Sequence, residues 1–288
     1  MFKIYPYKAG SESVAKLKEY LDAKVIKLKN SRYRYKTTDT IINWGNSRRP
    51  SWMSSDVPVL NQPEDVAIAS NKLLTLQKLE GEGVPTVYFT PDIDLAQRWL
   101  MDGNTVFVRH SLNGHSGEGI EVIKPKEDSD DLLNISERLF NLGYEYIAGL
   151  VDDEIVETIL PDAPLYTRGI NNHGEYRVHV FDGEVILYQK KSRRVNDDGD
   201  VITADGEEAD VRNLASNWVY RTGNLRRLER IENLAKDAVR AVGLDFGAVD
   251  IIKDENGDVF VLEVNSAPGL GNQETLGAYI NSFNRKST

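Results

Sequence analysis

The chain has 288 residues, enough for one large domain or for two or three small ones, and its formal net charge is −10. Apolar residues make up 40% and charged residues 28%, which is typical of a soluble globular protein. The negative charge argues against non-specific binding to nucleic acid or to a membrane surface, and the absence of cysteine excludes disulfides, thiolate nucleophiles and cysteine-ligated metals.

Residues 1–65 have the pattern of a small α/β unit. The segment FKIYPY is a short strand, Ser11–Ala23 has the spacing of a helix with Ser11 as its N-cap, and VIKL and TIINWG follow as strands. Strands that alternate with helices predict a parallel sheet. The basic segment SRRPS at 47–51 is either a ligand contact or a solvated loop, and the loop interpretation is the more economical one.

A second α/β unit is predicted to begin near residue 85, after a helix over Asp65–Glu82 that ends at Gly81 and Gly83. Lys72 lies inside this predicted helix, where a lysine is normally solvated. The strand PTVYF, a helix over Asp94–Met101 and the strand TVFVRHS follow.

The loop Leu112–Ile120, LNGHSGEGI, carries three glycines in six residues. Such loops expose backbone N–H groups and can close over phosphates, although the spacing is neither that of a P-loop nor that of a dinucleotide fingerprint. Arg109 adds a positive charge at the base of the loop, and His115 or Ser116 adds a donor at its tip. An ordinary hairpin loop is the alternative.

After a predicted helix over Asp130–Leu142 and a strand over Glu154–Leu160, the segment GEYRVHVFDGEVILYQKK predicts a hairpin with Asp182-Gly183 as its turn. Paired residue numbers then sum to 365. On this register Glu175 faces Lys190, Arg177 faces Tyr188 and His179 faces Ile186, with Glu175, Arg177 and His179 on one face. A Glu175–Lys190 pair alone could equally be a surface ion pair.

The densest basic cluster, KKSRRV at 190–195, precedes an acidic loop and the segment Arg212-Asn213-Leu214. A helix is predicted from Asn224 as its cap to Val242, ended by Gly243, and a final helix over Gln273–Phe283.

Between these helices, Phe246–Gly271 predicts a second hairpin, because Asn256-Gly257 is the sequence signature of a two-residue type I′ turn. Glu255 then pairs with Asp258, and paired numbers sum to 513. Asp250 therefore faces Glu263, and Asn265 lies on the same face as Glu263.

Two facing carboxylates destabilise a sheet unless a cation lies between them. The oxygen atoms of Asp250, Glu263 and Asn265 suit a hard cation such as Mg²⁺. The alternative is a hairpin whose acids face solvent.

The order and spacing of these motifs resemble the ATP-grasp superfamily over residues 60–271. Asp250, Glu263-Val-Asn265 and Pro268-Gly269 match the magnesium motif of that family, EYRVHVFDGEVI is similar to a strand of the RimK-like glutamate ligases, and Arg212-Asn213-Leu214 is similar to their substrate segment. The resemblance implies an α/β (α+β) chain with an ATP-grasp fold. It also implies a small Rossmann-like domain before it, over 1–65, a lid subdomain over 66–160 and a large subdomain over 161–288.

The resemblance also implies site roles. Asp250, Glu263 and Asn265 would hold Mg²⁺ or Mn²⁺ at the ATP phosphates, and the loop containing His115, Ser116 and Gly117 would cover those phosphates. The remaining implied contacts are Lys72 and Arg109 to phosphate, Glu157, Thr158 and Ile159 to adenine, Glu175 to ribose, and Lys190, Arg193 and Arg212 to the γ-phosphate and the acceptor carboxylate. Arg109 departs from the lysine usual in the family.

The implied activity is an ADP-forming carboxylate–amine ligase that works through an acylphosphate. Two alternatives stay open, a small-molecule kinase on the same fold and a nucleotide-binding or scaffold protein without catalysis. Expected partners are small carboxylates and amines or a peptide or protein terminus, with no nucleic acid and no membrane. The sequence shows no membrane-spanning run and no signal peptide, so we expect a cytoplasmic location.

Overall fold

The computed structural model describes residues 1–113, 119–125, 160–196, 202, 212, 216–223 and 225–286. Two compact units make up the chain. The first comprises Met1–Thr86, Asn172–Ile202 and Trp218–Thr288, and the second comprises Val87–Asn171 and Thr203–Asn217. The predicted helix Asp130–Leu142 and nearly all of the predicted strand Glu154–Leu160 lie outside the described residues.

The first unit begins with a four-stranded, all-parallel sheet, which confirms the predicted parallel arrangement. One of its faces is covered by α1, Glu12–Tyr20, whose N-cap Ser11 accepts a hydrogen bond from Val14 N at 3.3 Å. The strands are β1 Phe2–Pro6, β2 Lys24–Val25, β3 Thr40–Trp44 and β4 Val59–Leu60, in the order β2-β1-β3-β4.

The other face of this sheet is covered by residues 26–39, which run from β2 to β3 without a helix and are called the strap below. Parallel strands are usually joined by a helical crossover. Here Tyr33 and Tyr35 of the strap, together with Trp52, pack on the apolar cluster of Tyr5, Ile26, Ile41, Met53, Val57 and Val59.

Two short helices follow, α2 Pro63–Ala69 and α3 Lys72–Gly81, where the sequence predicted one continuous helix. That prediction is wrong because Asn71 has an extended conformation and its side chain accepts a hydrogen bond from Leu74 N at 3.1 Å, as an N-cap. Lys72 is therefore the first residue of α3 and does not lie inside a helix.

The described part of the second unit is built on a four-stranded sheet of order β5-β8-β6-β7, with α4 packed against it. Asp92 caps α4 by accepting from Asp94 N at 2.9 Å. The elements are β5 Phe89–Thr90, α4 Ile93–Met101, β6 Val106–Arg109, β7 Ile120–Ile123 and β8 Leu165–Arg168.

The rest of the first unit is a five-stranded antiparallel sheet of order β11-β10-β9-β12-β13. Helix α5, Glu229–Val242, covers one face with Ile231, Leu234 and Ala238. It begins after Leu228 and not at Asn224, and it ends as predicted at Gly243, whose φ is +89°. The strands are β9 Gly174–Phe181, β10 Glu184–Arg193, β11 Trp218–Arg221, β12 Phe246–Lys253 and β13 Val259–Asn265.

The last helix, α6 Gln273–Lys286, joins the two sheets of the first unit through one aromatic core. Trp44 of β3 stacks on Phe246 of β12 with ring centroids 5.5 Å apart, and Tyr279 and Phe283 of α6 contact both rings edge-on. No helix in the described part of the chain has the length and apolar character needed to cross a membrane.

Asn61 joins the end of β4 to the start of β12 by a closed set of hydrogen bonds. Its side-chain oxygen accepts from Asp245 N at 2.8 Å and from Phe246 N at 3.1 Å, and its amide nitrogen donates to Phe246 O at 3.0 Å. Its backbone N–H donates to Asp245 Oδ2 at 2.6 Å. The residue is fully buried with φ +64°, a conformation that asparagine tolerates better than most residues.

Candidate active site

The hairpin of β9 and β10 has the predicted turn but not the predicted register. Asp182 and Gly183 have φ of +52° and +76°, as a type I′ turn requires, and Phe181 pairs with Glu184. A bulge at Ile186 then shifts the ladder by one residue, so His179 pairs with Leu187 and Arg177 with Gln189.

The predicted pairs Glu175–Lys190, Arg177–Tyr188 and His179–Ile186 are therefore wrong. The carboxylate of Glu175 accepts from Lys191 Nζ at 2.5 Å, and Asn172 Nδ2 donates to its other oxygen at 2.6 Å. Lys190 pairs with Tyr176 and lies with Tyr188 on the opposite face of the sheet, which is the face that packs on α5.

The hairpin of β12 and β13 has the predicted facing pair but not the predicted turn. Gly257 has φ +90°, whereas Asn256 is not in the left-handed region, so the turn is not type I′. The loop has three residues, Glu255–Gly257, and Asp254 N donates to Asp258 O at 2.9 Å across it. The predicted Glu255–Asp258 pair is wrong.

A bulge at Leu262 compensates for the longer turn. Ile251 pairs with Val261, but Asp250 pairs with Glu263 and Ala248 with Asn265. The prediction that Asp250 faces Glu263, with Asn265 on the same side, is therefore confirmed.

These registers place a continuous set of polar and aromatic side chains on the sheet surface opposite α5, called the polar face below. Their neighbours in each strand, such as Val178, Tyr188 and Val249, belong to the core under α5. The members of the polar face are Glu175, Arg177, His179, Gln189, Lys191, Arg193, Trp218, Tyr220, Asp250, Glu263 and Asn265.

Arg177 and Asp250 form the central ion pair of the polar face, from directly paired positions of β9 and β12. Arg177 Nε donates to Oδ1 and Nη2 to Oδ2, both at 2.6 Å, in a bidentate arrangement. Burial alone would raise the pKa of Asp250, but the charges of Arg177 and Lys191 lower it below its ordinary value. Arg177 was predicted on this face, but its pair with Asp250 was not.

Glu263 has its own cation, because Lys72 at the start of α3 lies 3.5 Å from Glu263 Oε1. Both side chains are largely buried, with exposed fractions of 17% for Lys72 and 29% for Glu263. The two facing carboxylates are thus neutralised by two protein cations. This meets the electrostatic requirement from which the sequence analysis predicted a metal ion.

The donor set of the polar face fits a hard divalent cation. The bidentate contact with Arg177 uses one lone pair on each oxygen of Asp250, and an ionised carboxylate has about four acceptor positions. Glu263 and Asn265 add carboxylate and amide oxygens on the same side. Among the described residues no group of three or more His, Cys, Asp or Glu side chains has metal-binding geometry, so Asn265 would have to be the third ligand.

His179 is a buried, neutral part of the polar face. Its Nε2 lies 3.1 Å from Gln189 Oε1 and its Nδ1 lies 3.2 Å from the hydroxyl of Tyr279. An amide oxygen can only accept, so Nε2 carries the proton and Nδ1 accepts from Tyr279. Burial lowers the pKa of His179 to about 4.

The aromatic residues of the edge strand β11 lie over the cations of the polar face. Tyr220 is stacked on Arg177 with the guanidinium 4.2 Å from its ring centre, and Trp218 lies 4.7 Å from the guanidinium of Arg193. Burial and the nearby Asp250 carboxylate raise the pKa of Tyr220 well above its ordinary value. No role was predicted for either aromatic residue, although their period-two spacing in WVYR was a signal for one strand face.

The predicted site residues of the second unit are only partly described. Arg109 ends β6 and its Nε donates to Thr167 Oγ1 at 3.4 Å, and Arg212 is half-buried. His115, Ser116 and Gly117 of the glycine-rich loop, and Glu157, Thr158 and Ile159 of the predicted adenine-binding strand, lie outside the described residues.

No family model matches the chain. Sequence comparison finds a tetrahydromethanopterin:alpha-L-glutamate ligase of Methanocaldococcus jannaschii, 29% identical over 228 residues, which are 75% of this chain and 65% of that protein. A D-alanine–D-alanine ligase of Marinomonas sp. is 24% identical over 73% of this chain and 59% of its own length. A probable alpha-L-glutamate ligase of Parasynechococcus marenigrum is 27% identical over 76% of this chain and 40% of its own length. The alignments thus span less than two-thirds of these relatives.

Structure comparison finds ATP-grasp ligases over nearly whole chains. The ATP-grasp ligase PsnB in complex with minimal precursor, Mg and ADP has a TM-score of 0.64 at 13% identity, covering 100% of this chain and 97% of PsnB. D-cycloserine synthetase DcsG has a TM-score of 0.59 at 15% identity, covering 100% of both chains. A D-alanine–D-alanine ligase from Bacillus anthracis has a TM-score of 0.58 at 13% identity, covering 100% of this chain and 98% of its own.

These likenesses show that the chain has the ATP-grasp fold, and the predicted fold class is confirmed. The predicted similarity to glutamate ligases is confirmed as well by the curated relatives. The roles of individual site residues stay predictions.

Proposed function

We propose that this protein is an ATP- and Mg²⁺-dependent ligase that joins a carboxylate to an amine through an acylphosphate, with release of ADP and phosphate. The observation that carries the proposal is the polar face, where Asp250, Glu263 and Asn265 lie together beside Arg177, Lys191 and Lys72. The glutamate ligases and D-alanine–D-alanine ligase among the relatives support this reaction class.

The chemistry explains why such a site needs charge and not a nucleophile. A carboxylate is a poor acyl donor because its leaving group is poor. Transfer of the γ-phosphoryl group of ATP to a carboxylate oxygen produces an acylphosphate, and an amine then attacks the acyl carbon and expels phosphate. Positioning and neutralisation of charge are the main contributions of the protein in such phosphoryl transfers.

The polar face offers both contributions. Asp250, Glu263 and Asn265 would hold Mg²⁺, which when bound neutralises phosphate oxygens. Arg177, with its fork fixed by Asp250 and Tyr220, presents a rigid cation, and Lys72, paired with Glu263, would supply a second cation for a phosphate. Arg193, over Trp218, is a cation for the acceptor carboxylate.

The register corrects one part of the proposed ATP site. Lys191, not Lys190, is the lysine on the same face as Glu175. Glu175 would bind the ribose hydroxyls while Lys191 holds its carboxylate in place. For Arg109 and Arg212, and for the segments with His115–Gly117 and Glu157–Ile159, the proposed roles are the nucleotide and acceptor contacts that the family resemblance implies.

The proposal extends to organisation and partners. The substrates would be small carboxylates and amines or the terminus of a peptide or protein, and neither nucleic acid nor membrane would be a partner. We place the reaction in the cytoplasm. The three ATP-grasp domains would be 1–65, 66–160 and 161–288.

The test is release of ADP and phosphate with a matrix of amino acids and small carboxylic acids, including glutamate, in the presence of Mg²⁺. We expect Glu263→Gln to lower turnover by at least about a hundredfold, because it removes a ligand charge at the transferred group. The control is Glu255→Gln, which makes the same chemical change in the exposed turn of the same hairpin.

Mass spectrometry of the products decides the reaction class. A new amide with loss of one water between the substrates supports the ligase. A stable phosphorylated product contradicts the ligase and indicates a kinase. Equal turnover of Glu263→Gln and Glu255→Gln would contradict the role of Glu263 in the site.

A further inference from the structure

The strap, residues 26–39, is a basic segment in an acidic protein. It carries five cationic side chains, Lys27, Lys29, Arg32, Arg34 and Lys36, and one carboxylate, Asp39, while the whole chain has a net charge of −10. The polar face and its proposed chemistry use none of these residues.

The strap is fixed on the sheet at both ends and in the middle. Ile26 N donates to Ile4 O of β1 at 2.8 Å at its start, and the carboxylate of Asp39 at its end pairs with Lys3 Nζ of β1 at 3.3 Å. In the middle, Tyr33 contacts Trp52 edge-on with ring centroids 4.8 Å apart, and its hydroxyl donates to Asp39 Oδ2 at 2.8 Å. The cationic side chains are therefore presented by an ordered segment.

Side chains of residues 31–36 in the strap alternate between the sheet and the solvent. Ser31, Tyr33 and Tyr35 are half-buried, whereas Arg32, Arg34 and Lys36 between and after them are exposed. This is the alternation of an extended chain, in which every second side chain points the same way, about 7 Å apart. Arg32, Arg34 and Lys36 thus form a row on the outer surface.

The cations of the strap have no ion-pair partner within the described part of the chain. None of the five cations forms an ion pair with a described carboxylate. The carboxylate of Asp39 forms an ion pair with Lys3 at 3.3 Å and accepts a hydrogen bond from the hydroxyl of Tyr33. Basic residues elsewhere in this unit do form ion pairs, for example Arg49 with Glu64 at 2.6 Å and Lys78 with Glu82 at 2.7 Å. Five unpaired like charges on one segment repel each other, and an anionic partner would remove this repulsion.

We propose that the strap is a docking surface for an acidic polypeptide in an extended conformation, whose Asp and Glu side chains pair with Arg32, Arg34 and Lys36. An extended peptide repeats same-side carboxylates at about the spacing of this row, and arginine binds carboxylates with two parallel hydrogen bonds. A single-stranded nucleic acid fits less well, because such sites present aromatic rings for base stacking, and Tyr33 and Tyr35 are turned inward against Trp52 and the sheet core.

The proposal is tested by fluorescence anisotropy with the full chain and a labelled twelve-residue peptide of alternating Glu and Ser, with no ATP present. We expect saturable binding that weakens as salt is raised, and no binding of the matching Gln–Ser peptide. The triple substitution Arg32→Ser, Arg34→Ser, Lys36→Ser should weaken binding by about tenfold or more. These side chains are exposed and their removal reduces like-charge repulsion, so the melting temperature should not fall.

The charge-matched control is Lys18→Ser, Lys78→Ser, Arg240→Ser, which removes three exposed cations elsewhere in the same unit and should retain most of the binding. Equal weakening by both triple variants overturns the proposal, because net charge alone would then explain binding. Tighter, strap-dependent binding of single-stranded RNA or DNA of the same length also overturns it, in favour of a nucleic-acid surface. The assay measures binding without turnover, so its result is independent of the ligase activity.

Discussion

The two hairpins that build the polar face deviate from expectation in opposite ways. In the hairpin of β9 and β10 the turn at Asp182-Gly183 is as predicted, and a bulge at Ile186 shifts every later pair by one residue. In the hairpin of β12 and β13 the turn is one residue longer than predicted, and a bulge at Leu262 restores the register before Asp250. In the first hairpin the turn was predicted correctly but the facing pairs were wrong. In the second hairpin the predicted turn was wrong but the facing pair Asp250–Glu263 was correct.

The difference shows that turn chemistry fixes only the pairs next to the turn. A one-residue shift moves a side chain to the other face of the sheet, so each bulge decides which residues reach the site. The bulge at Ile186 brings Lys191 to Glu175, and the bulge at Leu262 brings Glu263 to Asp250. Four predictions test this comparison, from the largest expected effect to the smallest.

Arg177→Met tests the pair that joins the two hairpins. It leaves the carboxylate of Asp250, 13% exposed, without its bidentate partner, and we expect a loss of about 3 kcal/mol in the free energy of unfolding. Urea denaturation measures it. Arg177→Met with Asp250→Leu should recover part of the loss, and a loss below about 1 kcal/mol for Arg177→Met alone would contradict the pairing of β9 with β12.

The two hairpins contribute to the pH dependence of stability in different pH ranges. His179 in β9 has its pKa lowered from 6.5 to about 4, so the unfolded state binds the proton more readily and stability falls as pH drops from 6.5 to 4. We expect this contribution to reach roughly 3 kcal/mol and to be absent in His179→Gln. Asp250 in β12 has its pKa lowered from 3.8, so its contribution is present above that pH and is lost only below it.

Urea unfolding at several pH values between 4 and 7 measures the first of these windows. The difference between the wild-type chain and His179→Gln isolates the histidine from the carboxylates that titrate nearby. A constant difference across this range would mean that His179 is not buried in its neutral form.

Substitution of the two neighbouring lysines tests the bulge at Ile186. Lys191→Met leaves Glu175 largely buried without its cation, and we expect a loss of about 2 kcal/mol in unfolding free energy. Lys190→Met is the matched control, because Lys190 lies on the other face and should change stability by less than about 0.5 kcal/mol. A larger loss for Lys190→Met than for Lys191→Met would indicate the predicted register without a bulge.

Alanine substitution in the second turn tests its length. Gly257→Ala places a side chain at φ +90° and 3.1 Å from Arg230 Nη2, so we expect a cost of about 1 kcal/mol. Asn256→Ala should cost only a few tenths of a kcal/mol, since Asn256 is not left-handed. Thermal unfolding of both variants measures these losses of stability. Equal losses for Gly257→Ala and Asn256→Ala would indicate the type I′ turn predicted from the sequence.

Much of the frame could be predicted because its signals are local. The turn at Asp182-Gly183, the cap at Ser11 and the stop at Gly243 follow from backbone preferences of single residues. The motif around Asp250 and Glu263 was recognisable from its spacing, and the facing pair was correct because the two deviations cancelled.

The remainder depends on contacts that no local pattern encodes. Ile186 and Leu262 are ordinary apolar strand residues, and nothing in the sequence around either of them marks a bulge. The pairing of β9 with β12 brings together Arg177 and Asp250, which are 73 residues apart in the chain. The sequence of neither strand indicates that the other is its partner. The position of Lys72 was misjudged because an apolar helical pattern continued across the cap at Asn71.

Asn61 has a consequence for the order in which the protein can be made. Its hydrogen bonds to Asp245 and Phe246 span 184 and 185 positions, so the ribosome must add that length of chain before the buried amide finds its partners. At about 5–20 residues per second this interval is roughly ten to forty seconds. During it the end of the parallel sheet carries an unsatisfied polar group and an uncovered aromatic surface at Trp44. We therefore expect the first unit to become resistant to proteolysis only after the C-terminal third of the chain has been synthesised. A chaperone that binds the incomplete chain would cover the exposed surface until then.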